Sequence, residues 1–216
     1  MTCDHRSDET RTPRDSIARK TAYTLAAGAA AGAAGSADAA IVWSGPQDID
    51  IALGASQPLN LDGDAYTDIF LNNYDFGAPY QGVYVQYFPG NVVGFFGAFA
   101  YVSALEAGDV IDATTTAGGP FQASMAFGAT NPAAEFNNAD GAFIGLDFPI
   151  GGVTHFGWIR VTIDNAAGEF TINDWAYQSV PGRGLLAGDT VPEPGTLGML
   201  AAGAAGVAAM RRRRAA

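Results

Sequence analysis

Four oxygen-bearing side chains stand close together in "LNLDGDAYTDIFL": Asn60, Asp62, Asp64 and Asp68, at relative positions one, three, five and nine. Alternate residues on a tight loop aim their oxygens at one point, and Gly63 allows the sharp turn that this requires. Several carboxylates without His or Cys suit a hard cation, Ca²⁺, with the peptide oxygen of Tyr66 completing the set. Such an ion would be structural, stabilising the folded state by binding it alone. A solvated Asp/Gly turn is the other reading of the same residues.

A second candidate is the hairpin "HFGWIRVTIDNAAGEFTINDWAYQ". With "NAAG" as its loop, Asp164 faces Glu169, and counting outward opposes Ile163 to Phe170, Val161 to Ile172 and Trp158 to Trp175. Alternation then gives one face to Ile159, Val161, Ile163, Phe170 and Ile172, the expected core. The other face takes Phe156, Trp158, Arg160, Trp175 and Tyr177. Trp158, Trp175 and Tyr177 offer rings for sugars to stack on, and Arg160 offers directed hydrogen bonds, so a carbohydrate-binding module is one functional reading. The same aromatics could instead close the end of the core, since Trp and Tyr are substantially buried on average.

Catalytic patterns do not emerge. The one cysteine, Cys3, lies near the amino end, and between Ala40 and Thr190 the only histidine is His155, inside a strand-like run. No nucleophile elbow, zinc-protease motif or phosphate-binding loop is present. Glu135, Asp147, Glu169 and Asp174 could supply the paired carboxylates of a glycan hydrolase, but acids are too numerous here to single out a pair. The expectation is a protein with no catalytic residues that is not an enzyme.

Charge narrows the partners. The whole chain carries a formal charge of −11, yet most of its basic residues sit at the two ends. Between Ala40 and Thr190 only Arg160 and Arg183 face sixteen Asp and Glu, a balance of −14. A body this acidic repels phosphate backbones, which excludes nucleic acid as the expected partner, and it favours solubility outside a cell and divalent cations.

These residues must be positioned by strands. From Ile41 to Gln178, short β-branched and aromatic runs such as "DIFLNN", "GVYVQYF" and "FIGLDF" alternate with Gly, Asn and Asp turn signals, with no helical period. The pattern predicts an all-β domain over residues 40–185, an antiparallel β-sandwich with a jelly roll as one arrangement of it, followed by a linker at 186–190.

Both ends differ from this body. Residues 1–39 run from a basic stretch ending "SIARK" into an Ala/Gly-rich helix-forming segment, uncharged until Asp38, with small residues at Ala37 and Ala39, the pattern of a secretory signal cut by signal peptidase. At the other end, Pro192 and Pro194 hold Glu193 in an extended segment. The uncharged run from Gly195 to Met210 follows, about 24 Å as a helix and short for a bilayer core of about 30 Å. Arg211, Arg212, Arg213 and Arg214 then hold the end on the cytoplasmic side. A plain tail anchor is one reading of this short hydrophobic helix.

The order of parts, Val191-Pro192-Glu193-Pro194, apolar run and arginine stop, resembles the PEP-CTERM sorting signal over residues 191–216. The resemblance implies an exosortase-type processing enzyme as partner and export with transient anchoring in the inner membrane. It further implies display at the envelope or release into an extracellular polysaccharide or biofilm matrix. Gly157-Trp158 and Asp174-Trp175-Ala176-Tyr177 are similar to the terminal hairpin of many such proteins. The loop from Asn60 to Asp68 is similar to the calcium loop of FG-GAP repeats, with Asn60 in place of the usual first Asp and Ala65 where Gly is common. The expected protein is thus a secreted or surface-displayed, non-enzymatic matrix component with Ca²⁺ as its one candidate cofactor.

Overall fold

The computed structural model describes residues 41–87, 90–129 and 131–190. Among the described residues the regular elements are thirteen strands. In chain order they are β1 (Ile41–Trp43), β2 (Ile49–Asp50), β3 (Ala55–Leu59), β4 (Ile69–Asp75), β5 (Pro79–Val85), β6 (Gly94–Phe96) and β7 (Ala100–Val102). There follow β8 (Val110–Ile111), β9 (Gln122–Phe127), β10 (Ala142–Ile150), β11 (Val153–Asp164), β12 (Glu169–Gln178) and β13 (Leu185–Leu186). Among the described residues no helix is long and apolar enough to cross a membrane. The expected signal segment 1–39, the carboxy-terminal hydrophobic helix and the sorting residues Val191 to Arg214 lie outside the described residues.

The strands form two main sheets, as the alternation predicts. One has the order β1-β12-β11-β10, with β2 also paired to β12. The other is six-stranded, β3-β4-β5-β9-β7-β6, antiparallel except where β7 meets β9 at Tyr101 and Ser124. Period-two patterning places Ile144, Leu146, Ile159, Val161 and Ile172 of the first sheet in one buried cluster with Ile69, Leu71, Val83 and Met125 of the second. Each such side chain contributes about 1.5–3 kcal/mol by leaving water. This is an all-β sandwich core.

Two polar side chains interrupt the inner rows. Asn73 and Gln81 are fully buried. The Asn73 amide donates to the carbonyls of Ile51 and Gly168, at 2.7 and 2.8 Å, and so fastens two loops to the end of β4. Gln81 Nε2 in turn donates to Asn73 Oδ1 at 2.9 Å.

The first sheet is covered on its outer face as well. Phe143, Phe156, Trp158 and Ala176 pack there with Ile111, Leu185 and Ala187 in a second buried cluster. Ile111 and Leu185 belong to a small separate ribbon, β13 paired with β8. Residues 186–190, expected as a linker, are therefore part of the fold. Ala187 is buried, its N–H donates to Asp109 O at 2.8 Å, and Asp189 O accepts the Trp158 indole N–H at 3.0 Å. The buried indole needs a partner for its N–H, and this segment provides it.

Candidate functional site

The loop from Asn60 to Asp68 joins β3 to β4, between two antiparallel strands as expected. One oxygen of each of its four side chains is engaged by the loop itself. Asn60 Oδ1 accepts from Gly63 N at 2.7 Å, Asp62 Oδ1 from Asp64 N at 3.0 Å, and Asp64 Oδ1 from Tyr66 N at 2.6 Å. Asn60 Nδ2 donates to Asp64 O at 2.7 Å, and Gly63 takes a φ of 77°, the left-handed turn that glycine permits. Asp68 closes the loop: its Oδ2 accepts Leu61 N at 2.7 Å while its own N–H donates to Leu59 O at 3.0 Å.

Asp68 is buried, whereas Asp64 and Tyr66 are exposed. Burial pushes the Asp68 carboxyl up from 3.8 to about 7, opposed by the Leu61 bond and reinforced by the like charges of Asp62 and Asp64. Burial also raises the Tyr177 hydroxyl, with Asp62 and Asp68 adding to the shift, so that ring belongs to the same neighbourhood. A shallow pocket of about 360 Å³ opens beside the loop, lined by Asp64, Tyr66, Asp68, Tyr87, Pro149, Gly151 and Gly152. Among the described residues, no group of three or more His, Cys, Asp or Glu side chains is placed to hold a metal ion.

The terminal hairpin departs from the expected register. Asp164 with Glu169, Ile163 with Phe170 and Val161 with Ile172 pair as predicted. Asn173 is then an extra residue on β12, so Arg160 faces Asp174, Ile159 faces Trp175, and Trp158 faces Ala176 rather than Trp175. The bulge divides the predicted aromatic group. Trp158 and Phe156 lie on the outer side in the second cluster, while Trp175 and Tyr177 pack against the main core. Trp158, at 1% exposure, has no ring face free for a sugar.

Arg160 stays on the outer side, and the bulge brings Asp174 beside it in a structural role. Arg160 Nε and Nη2 donate to the two Asp174 oxygens at 2.7 and 3.0 Å, and Trp43 Nε1 donates to Oδ2 at 3.1 Å. The pair and the indole together tie β1 to β12 and β11. His155 is likewise held: buried, its Nδ1 lies 2.8 Å from Gln178 O, a carbonyl that can only accept, so Nδ1 carries the proton.

The structure assembles a different aromatic surface, which sequence reasoning missed. On the outer face of the six-stranded sheet, Phe70 pairs with Tyr84, Asn72 with Gly82, and Tyr74 with Tyr80 across β4 and β5. Neighbouring rings continue the rows, Tyr84 with Phe121 at 6.2 Å and Tyr80 with Phe76 at 5.4 Å. Between them lies a polar row in which Ser56 Oγ donates to Asn72 Oδ1 at 2.6 Å. Tyr80 lies along the strand across Gly82, where any Cβ would collide with its hydroxyl, and that hydroxyl bonds Ser124. A pocket of about 390 Å³ opens beside it, lined by Tyr80, Phe99, Gln122, Ser124, Phe127 and Asn131 among others. The signal was present as the alternation of "FLNNY" and "YQGVY", but the aromatics of a strand read as core until the facing sheet is known.

Residues 190–214 match the PEP-CTERM protein-sorting motif. The match begins one residue after Asp189, which is bonded to the folded body through Trp158. No curated protein matches the chain. No solved structure matches it. The motif implies processing by exosortase, export, and an envelope or surface location.

Proposed function

We propose that the chain is a non-enzymatic component of the cell envelope or extracellular polysaccharide matrix, in which the β-sandwich is cargo and the segment after Thr190 is a handling tag. The observation that carries this is the sorting motif at 190–214, set directly after the double-sheet body. The tag brings the chain to exosortase at the inner membrane, with the apolar run Gly195 to Met210 as a short span and the arginines as its cytoplasmic stop. A non-enzymatic body is supported by the engagement of its chemistry-bearing side chains. His155 is bonded to Gln178 O, Asp174 to Arg160 and Trp43, and Asp147 Oδ1 accepts Asn91 N at 2.6 Å.

Cell fractionation tests the tag. With Pro192, Glu193 and Pro194 all replaced by alanine, the product is expected to accumulate unprocessed in the inner membrane instead of reaching the surface. An unaltered distribution of that variant would count against the proposal.

Calcium as a structural ion of the loop from Asn60 to Asp68 belongs to the same proposal. Its support is the like charge of Asp62 and Asp64 beside buried Asp68, which a divalent cation would relieve. Binding requires the three carboxylates to converge further than they do in the structure. Excess Ca²⁺ is then expected to raise the melting temperature relative to EDTA, and identical melting curves would dismiss the ion.

A carbohydrate-binding module is the second reading. It is favoured by the exposed rings on the outer face of the six-stranded sheet, Phe76, Phe99 and Phe121 among them, and no longer by the divided hairpin group.

A further inference from the structure

The geometry points to the outer face of the six-stranded sheet as a binding site for an uncharged polysaccharide; this rests on the second reading above and gives it a place and a ligand class. Soluble monomers rarely leave large rings in contiguous exposed rows, and rows of this kind mark a binding surface. Here the rows of Phe70, Tyr74 and Tyr80 are partly exposed and Tyr84 is 36% exposed, and the loop rings that flank them, Phe121, Phe76 and Phe99, are 59%, 67% and 72% exposed.

The arrangement of the rings suits a chain of sugars better than a flat apolar partner. One station is formed by Phe70, Tyr84 and Phe121, the other by Tyr80 and its neighbours. Phe70 and Tyr74 are four residues apart on β4, about 13 Å of strand, and the Tyr80 ring leans over Gly82 toward the first station, so the two stations lie within a few sugar rings of each other. The hydroxyls and amides between and beside them, Ser56, Asn72, Gln122 and Ser124, can exchange hydrogen bonds with ring hydroxyls while the aromatic faces take the apolar C–H faces of the sugars.

Charge selects the class of glycan. Asp75, at the end of β4, is the one charged residue within the six strands of this sheet. The surrounding body carries sixteen acids against two arginines between Ala40 and Thr190. An anionic polymer would be repelled by that field, and a second copy of the chain would bring two such fields together. A cationic partner would find its counter-charges on other surfaces. A neutral polyhydroxyl chain meets no penalty, and it finds on this face only rings, hydroxyls and amides.

The test is native electrophoresis of the full chain in a polyoxyethylene detergent, which has no sugar head group. The gels contain dissolved mixed-linkage β-glucan, galactomannan, dextran or, as the anionic control, alginate. Retardation is expected in at least one neutral polymer and not in alginate. The double variant Tyr84→Ala/Phe121→Ala is expected to bind about tenfold more weakly, and Trp175→Ala, on the other sheet, to bind as the parent does. Phe76→Ala/Phe99→Ala, at two highly exposed positions, serves as the second pair should the first fail to fold.

No retardation in any neutral polymer would overturn the module reading and the site with it. Retardation that survives both pairs would leave the module reading standing and remove the site. Equal retardation by alginate would overturn the neutral class. A dimer in sedimentation that either pair dissolves would reassign the face to self-association.

Discussion

Arg160 and Asp174 are joined across the last hairpin by two hydrogen bonds, at 2.7 and 3.0 Å, because one extra residue at Asn173 turns Asp174 to the same side of the sheet as the arginine. Without the bulge, Asp174 would point into the main core. The relationship is asymmetric, with the Asp174 side chain 3% exposed and that of Arg160 40%.

That asymmetry gives the first prediction. Arg160→Ala leaves a buried carboxylate with only the Trp43 indole as side-chain donor, and it is expected to cost about 2–3 kcal/mol after allowing for solvent access at the arginine. Asp174→Ala frees an arginine that can swing into water, at about 1–2 kcal/mol. Thermal unfolding of both singles and the double checks the order, and a larger loss for Asp174→Ala would contradict it.

The buried amides of the sandwich behave differently from each other. Asn73→Leu removes the donor to two loop carbonyls, Ile51 and Gly168, and is expected to cost about 2–4 kcal/mol. Gln81→Leu orphans one acceptor, Asn73 Oδ1, but also removes Gln81 Oε1, a buried oxygen without a partner, so its cost should stay within about 1 kcal/mol. Denaturant melts of the two variants measure the difference. Equal losses would mean that the loops are not fastened through Asn73.

Trp158 tests the ribbon that covers the first sheet. Trp158→Ala should cost about 3–5 kcal/mol and release β13 with the segment after it, since Asp189 O then loses its donor. Hydrogen exchange at residues 185–190 should accelerate more than exchange in β10. Protection that remains unchanged there would show that the ribbon holds without the indole.

Acid is expected to stabilise the protein. A carboxyl whose folded value is raised favours folding while protonated. For Asp68 that contribution is complete below its ordinary value of 3.8 and is lost as pH rises to about 7. Asp147, also raised by burial, acts with the same sign. The melting temperature in EDTA should therefore fall as the pH rises from 3.8 to about 7. Asp68→Asn should reduce the fall, since the amide oxygen can still accept Leu61 N. A melting temperature that climbs over this interval would refute the assignment.

Much of this architecture was legible in the residues, and the exceptions share a cause. Ile163 with Phe170 and Val161 with Ile172 could be paired by counting from the "NAAG" turn, because a short loop leaves little choice of register. Asn173 could not be recognised as an extra residue, because its excess exists only relative to β11. One uncounted residue exchanged the faces of Trp175 and Tyr177 with those of Asp174 and Ala176, and so dissolved the predicted sugar platform. The loop at 60–68 was found at its expected place between strands, but its carboxylates close turns on backbone N–H groups, a competition that spacing alone does not reveal. The rings of Phe70, Tyr74, Tyr80 and Tyr84 were visible as letters and invisible as a surface, since which side of β4 and β5 meets water depends on the opposing sheet.

The separation of cargo from tag is tested most directly by the intact mass of the product exported from a host that makes exosortase. A product from which Gly195 to Ala216 is missing is the predicted result; an exported product whose mass still includes that segment would contradict it.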